Sequence, residues 1–118
     1  LGRAKETAEL YEDCFERVQR NFASFPRAQL VRGKVPDTLA SVKIDRVCYL
    51  CLDMNIVTPE LAAIEYFWDK LVPGAPVILD DYGWLNYAKQ KEAMDAFALR
   101  KGVKIANLQT GQGLLLKP

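Results

Sequence analysis

Val47-Cys48-Tyr49-Leu50-Cys51-Leu52-Asp53 and Ala75-Pro76-Val77-Ile78-Leu79-Asp80-Asp81 are two short apolar runs, and each ends in acid. Between them lies a segment patterned as a helix. Thr58-Pro59-Glu60 reads as a helix start: a cap, a proline at the first helical position, then an acid that suits the positive end of the helix dipole. Val57, Leu61, Ile64, Trp68 and Leu71 then fall on one face, and Pro73-Gly74 stops the helix. The first strand extends back to Ile44. Its nearly continuous apolar character over 44–52 is what helices on both faces of a parallel sheet would demand.

A strand–helix–strand crossover is right-handed and sets the two strands side by side and parallel. Their carboxyl ends then share one edge of the sheet, which is where ligands bind in open α/β folds. Neighbouring strands are about 4.8 Å apart, so Asp53, Asp80 and Asp81 converge. Three carboxylates without a cation repel and raise one another's pKa values. A hard divalent ion such as Mg²⁺ relieves this through oxygen coordination. Asp53, Asp80 and Asp81 are therefore candidate metal ligands, and Asn55 can add a neutral oxygen or contact substrate. Asp-Asp-x-Gly is also ordinary turn chemistry. The coincidence of two acidic strand ends on one edge favours a site. Tyr82 and Trp84 suit either a ligand pocket or packing beside the turn.

Working outward, residues 4–23 carry Tyr11, Cys14, Phe15, Val18 and Phe22 at helical spacing, and Pro26 ends that stretch. Residues 28–32 read as a short strand, 33–38 as a turn and 39–42 as a short helix. On the other side, a helix is expected over 86–100, closed by Lys101-Gly102. Residues 103–108 and 114–117 read as two strands. Thr110-Gly111-Gln112-Gly113 between them suits a hairpin better than a phosphate loop, because no helix follows. The fold class is α/β, with a mainly parallel sheet and a C-terminal antiparallel hairpin. A single domain is expected, with residues 1–26 as a helical lead-in and 27–118 as the α/β part.

Composition narrows the function. The chain has 118 residues, 50% hydrophobic and 26% charged, with a net charge of +1, so nothing points to nucleic acid. No apolar run approaches the roughly 20 residues of a membrane span, and the polar start, Leu1-Gly2-Arg3-Ala4-Lys5-Glu6, does not resemble a signal peptide. Cys14, Cys48 and Cys51 are an odd set, which suggests reduced thiols and a cytoplasmic setting. Cys48 and Cys51, three apart on a strand, point to opposite faces and so cannot share a metal or readily close a disulfide. The absence of histidine excludes Ser-His and Cys-His catalysis and His-bearing zinc sites.

The chain resembles the macrocin O-methyltransferase family from about Phe22 to its last residue. The likeness rests on Gly33-Lys34-Val35-Pro36-Asp37-Thr38-Leu39, Asp53-Met54-Asn55, Pro59-Glu60-Leu61, Tyr66-Phe67-Trp68-Asp69-Lys70-Leu71-Val72-Pro73-Gly74, Asp80-Asp81-Tyr82-Gly83, Gln90-Lys91-Glu92-Ala93 and Thr110-Gly111-Gln112-Gly113 through Lys117-Pro118. The resemblance implies a class I, Rossmann-like, S-adenosylmethionine-dependent methyltransferase acting with Mg²⁺ on hydroxyls of sugars and natural products. By similarity, Asp53, Asp80 and Asp81 match the metal-binding acids. Asp53 would help remove the acceptor's proton, and Asn55 and Tyr82 are candidate substrate contacts.

Two departures from the family pattern are local. Cys51 lies in a strand that members often write with a histidine nearby, and Ala75 replaces the second glycine of Pro-Gly-Gly. The larger departure is that nothing before Ala28 reads as strand–glycine loop–helix, so no cofactor-binding residue is assigned. The expectation is a partial domain lacking its first two strands, which binds S-adenosylmethionine poorly and is inactive alone. With the usual sheet order 3-2-1-4-5-7-6, the strand at 44–52 loses a neighbour. Either residues 28–32 cover that edge or two chains pair there as a dimer. The competing reading is a non-catalytic α/β remnant that binds a partner or dimerises. A glycosyltransferase using Asp53-Met54-Asn55 as an Asp-x-Asp-like motif would leave Asp80 and Asp81 unexplained.

Overall fold

The computed structural model describes residues 13–118, which divide into two units, one ending at Lys34 and the other spanning Val35–Pro118. In the first, α1 (Phe15–Phe22) buries none of its residues. It falls within the helix expected over 4–23; residues 4–12 of that expectation lie outside the described residues. Arg32 pairs with Asp13 and places its guanidinium 5.3 Å from the centre of the Phe15 ring. Residues 28–32 form no strand, contrary to expectation. Only Leu30 of this segment is half-buried, and among the described residues of its own unit there is no strand to pair with it, without which an extended run has no stability of its own.

The second unit runs β1 (Leu50–Leu52), α2 (Val57–Trp68), β2 (Pro76–Leu79), α3 (Ala88–Lys101), β3 (Ala106–Asn107) and β4 (Gly113–Leu116). The strands order as β1-β2-β4-β3. β1 and β2 are parallel, with Leu52 opposite Leu79, whereas β4 pairs antiparallel with both β2 and β3. The sheet is thus mixed, and its antiparallel part includes the expected hairpin, β3–β4, beside the β2–β4 pairing. Gly111, at φ +85°, closes that hairpin turn, and the Leu108 amide donates to the Gln112 carbonyl across it.

β1 is much shorter than the strand expected over 44–52. The cause is a change of partner. Val47 exchanges backbone bonds with Lys70 and Val72, forming a lone parallel bridge to Leu71, whereas Leu50 pairs with Val77. Three residues on one chain face six on the other, because the Pro73-Gly74 turn intervenes, and the ladder breaks at Cys48-Tyr49. The expected burial on both faces is also corrected. Cys48 and Cys51 are exposed and Tyr49 is 56% exposed. Inward-facing Leu52, Val77, Leu79 and Leu115 alternate with more open neighbours, so within this unit the helices cover one face.

On that face α2 supplies Ala63, Ile64 and Trp68, and α3 supplies Met94, Phe97 and Ala98. Trp68 and Phe97 meet edge to face at 5.1 Å. α2 starts two residues earlier than expected, with Ile56 rather than Thr58 as its cap and no side-chain cap bond. Pro59 is tolerated because first-turn amides lack intrahelical partners anyway. α3 ends as expected on left-handed Gly102, whose amide reaches the carbonyls of Ala98 and Leu99. Ile64 is wholly buried. Ile64→Val should therefore lower stability by about 1 kcal/mol. An unchanged urea midpoint would show that the α2 side of the core is loosely packed.

Candidate functional site

Parallel pairing of β1 with β2 continues one step beyond the strands, where the Asp80 amide donates to the Leu52 carbonyl at 2.9 Å. Asp53 and Asp80 therefore leave the sheet as neighbours, and Asp81 follows in the same turn. One carboxylate oxygen from each of the three lies within 4.8 Å of the others. Asp53 is exposed, Asp80 half-buried and Asp81 buried. The cluster is graded from solvent into the protein.

The buried end is electrostatically costly. Burial pushes the Asp81 carboxyl above its ordinary pKa, the charges of Asp53 and Asp80 push it further, and the Asn55 amide opposes them. Asp81 Oδ2 is buried without a hydrogen-bond partner. The ion pairs between described residues, Asp13–Arg32, Glu65–Arg100 and Asp95–Lys91, leave the cluster uncompensated. An all-oxygen set with a desolvated, unpartnered oxygen fits a hard divalent cation such as Mg²⁺.

A fourth acid, missed in the sequence, lies beside these three. Glu60 is 3% exposed, and its Oε1 accepts from the Met54 amide at 3.3 Å. Burial, chiefly, pushes its carboxyl up to about 7; the Met54 and Asn55 amides hold it down, while the charges of Asp81 and Asp53 push it up. The intervening loop turns through Asn55, which sits at φ +58°, a conformation Asn accepts more readily than most residues. That turn aims the Met54 and Asn55 amides at the acids. A signal for Glu60 existed: it stands four residues before Ile64 and eight before Trp68, inside the apolar stripe of α2.

The candidate substrate contacts have committed polar atoms. Tyr87 donates its hydroxyl to Asn55 Oδ1 at 2.8 Å. Tyr82 is 6% exposed; its hydroxyl donates to Asp95 Oδ1 at 2.5 Å and accepts from Lys91 at 3.1 Å. Its ring packs under the hairpin, since a Cβ on Gly113 would stand 2.6 Å from Tyr82 Cγ. Trp84 remains 57% exposed, with its indole against Gly111.

The acidic turn is clasped by the hairpin. The Gly83 amide donates to the Gly111 carbonyl at 2.7 Å. A Cβ on Gly83 would meet Asn107 Oδ1 at 2.6 Å and that same carbonyl oxygen at 2.8 Å. Gly83→Ala should therefore lower stability by about 1–3 kcal/mol through overpacking. A melting temperature equal to wild type would mean that the two turns separate freely. The clasp also contains a second residue missed in the sequence: Gln112 Nε2 donates to Asp80 Oδ1 at 2.7 Å.

Comparison with known proteins adds three findings. A family model described as Macrocin-O-methyltransferase (TylF) matches residues 3–109. Among solved structures, the O-methyltransferase NovP resembles this chain with a TM-score of 0.72 at 23% sequence identity, covering 86% of this chain and 44% of NovP. The chain thus spans less than half the length of that relative, and at this identity the likeness establishes the fold. No curated protein matches.

Proposed function

The chain belongs to the macrocin O-methyltransferase family, and from that premise we propose that it carries the Mg²⁺- and acceptor-binding part of an S-adenosylmethionine-dependent O-methyltransferase. The acceptor would be a hydroxyl on a sugar or another natural product. The observation that carries this reading is the convergence of one carboxylate oxygen each from Asp53, Asp80 and Asp81 within 4.8 Å, together with a buried, unpartnered oxygen on Asp81.

Asp53, Asp80 and Asp81 would hold the ion. When bound, it would supply Lewis-acid chemistry that lowers the pKa of the hydroxyl to be methylated. The chain's own groups divide the remaining work. Asp53 is the exposed acid, so a hydroxyl arriving from solvent meets it first, and its carboxylate takes the proton. Asn55 Oδ1 is held by Tyr87, which leaves its amide NH₂ for an acceptor oxygen. Tyr82 packs its ring against the hairpin at Gly113, with its hydroxyl tied to Asp95. For S-adenosylmethionine the residues do not fit alone. No strand–glycine loop–helix unit occurs among the described residues, so they offer no cradle for the nucleoside.

Titrating the chain with Mn²⁺ as a Mg²⁺ surrogate, by calorimetry and electron paramagnetic resonance, tests this reading. One saturable site that Mg²⁺ displaces is the expected result. Absence of saturable binding at millimolar metal would remove the enzymatic assignment. A cytoplasmic location is part of the proposal, since its three free thiols suit a reducing setting. No helix among the described residues is long and apolar enough to cross a membrane.

A second reading, a binding or dimerisation module, is favoured by the β1 edge. Among the described residues β1 pairs only with β2, and Tyr49 beside it is 56% exposed. An unpaired edge strand is a template for another chain. Sedimentation velocity decides this point: a concentration-dependent dimer supports pairing at residues 47–52, and a monodisperse monomer removes it.

A further inference from the structure

We infer that Gln112 is a positioning residue for the cation site, setting the orientation of Asp80 from the hairpin turn; this rests on the proposed function above. The two residues are 32 apart in sequence, and only the antiparallel fold of β4 against β2 brings them together. Asp80 when ionised only accepts hydrogen bonds, so the Gln112 amide must turn its Nε2 toward it. Thr110 fixes that choice from the other side: its hydroxyl donates to Gln112 Oε1 at 3.1 Å. The relay Thr110–Gln112–Asp80 thus has a defined donor direction throughout.

The bond does more than satisfy a carboxylate. Asp80 is half-exposed, and water would serve it as well. What the amide adds is a fixed rotamer. It engages Oδ1, which as a carboxylate oxygen keeps a further lone pair, and one Asp80 carboxylate oxygen lies within 4.8 Å of an oxygen from each of Asp53 and Asp81. The donor is also neutral. A Lys or Arg in its place would compensate the Asp80 charge and compete with a cation; Gln holds the geometry and leaves the charge in place. The hairpin that carries it is itself anchored, through the Gly83 amide on the Gly111 carbonyl at 2.7 Å, to the turn that bears Asp80 and Asp81. Outer-shell partners of this kind typically change metal affinity by about 10–100-fold when removed.

The test measures Mn²⁺ affinity of the 118-residue chain by calorimetry, with metal-free thermal stability recorded alongside. Gln112→Leu should bind Mn²⁺ about tenfold more weakly while its metal-free melting temperature stays close to wild type. In an Asp80→Asn background, the same substitution should add no further loss, because the effect passes through Asp80. Thr110→Val is the second variant; Thr110 is exposed, so folding is not at stake, and a smaller weakening in the same direction is expected. Wild-type affinity in both Gln112→Leu and Thr110→Val overturns the inference and leaves the metal site standing. Full additivity with Asp80→Asn overturns it too, by showing that Gln112 acts elsewhere. A wild-type chain that binds no Mn²⁺ removes this inference and the proposed function together.

Discussion

Asp81→Asn is expected to abolish stabilisation by Mg²⁺ while leaving the metal-free fold at least as stable as wild type. The two halves of this result come from the same atoms. Without a cation, Asp81 is a burden: it is buried, its carboxyl is pushed upward in pKa by desolvation and by Asp53 and Asp80, and Oδ2 finds no donor. Asn matches its shape, carries no charge and can turn its amide NH₂ toward Asp53 or Asp80. With a cation, the order reverses. A ligand that binds only the folded state stabilises it by about 2.7 kcal/mol at a hundredfold excess over Kd, and losing the buried ligand charge should weaken binding by more than the roughly 10–100-fold of an outer-shell change. Chemical denaturation of both proteins in chelator and in millimolar Mg²⁺ checks this. A variant that still gains stability from Mg²⁺ would place the ion away from Asp81.

The Asp53–Asp80–Asp81 cluster was legible in the sequence because it follows from two general rules. A crossover makes the strands parallel, and parallel strands end on one edge. What escaped depended on long-range fit. The length of β1 is set by Pro73-Gly74, which moves its ladder partner from Leu71 to Val77; no local pattern in 44–52 records that. Residues 28–32 have strand-like composition, but composition supplies no neighbour. Gln112 sits between two glycines in a turn whose sequence signals a hairpin, yet its bond to Asp80 depends on how that turn folds over β2. Glu60 is a different case. Its position in the apolar stripe of α2 was visible, but an acid near a helix start has a ready explanation in the helix dipole, and that explanation hid the burial.

Glu60 also separates the fold's pH dependence from that of the exposed acids. Its carboxyl rises from an ordinary 4.5 to about 7 in the folded chain. The folded state therefore keeps a proton that the unfolded state releases between these values. Where the native state binds more protons, stability falls as pH rises. The neutral-acid contribution is fully present below about 4.5 and lost as pH passes 7, a change of about 3 kcal/mol. Glu60→Gln stays neutral throughout, and its side-chain oxygen still accepts from the Met54 amide. In metal-free buffer the variant should match wild type at acidic pH and exceed it by about 3 kcal/mol near pH 8, with the gap opening across the window between. Urea denaturation at a series of pH values measures it, and parallel stability curves for the two proteins would show that Glu60 titrates normally. Mg²⁺ should narrow the gap at high pH. Compensating the charges of Asp81 and Asp53 removes two of the causes that hold Glu60 neutral, so its ionised form becomes cheaper in the loaded site. If the proposed cation site is occupied, the buried glutamate and that site would thereby be coupled: ion binding would favour the chain in which Glu60 has given up its proton.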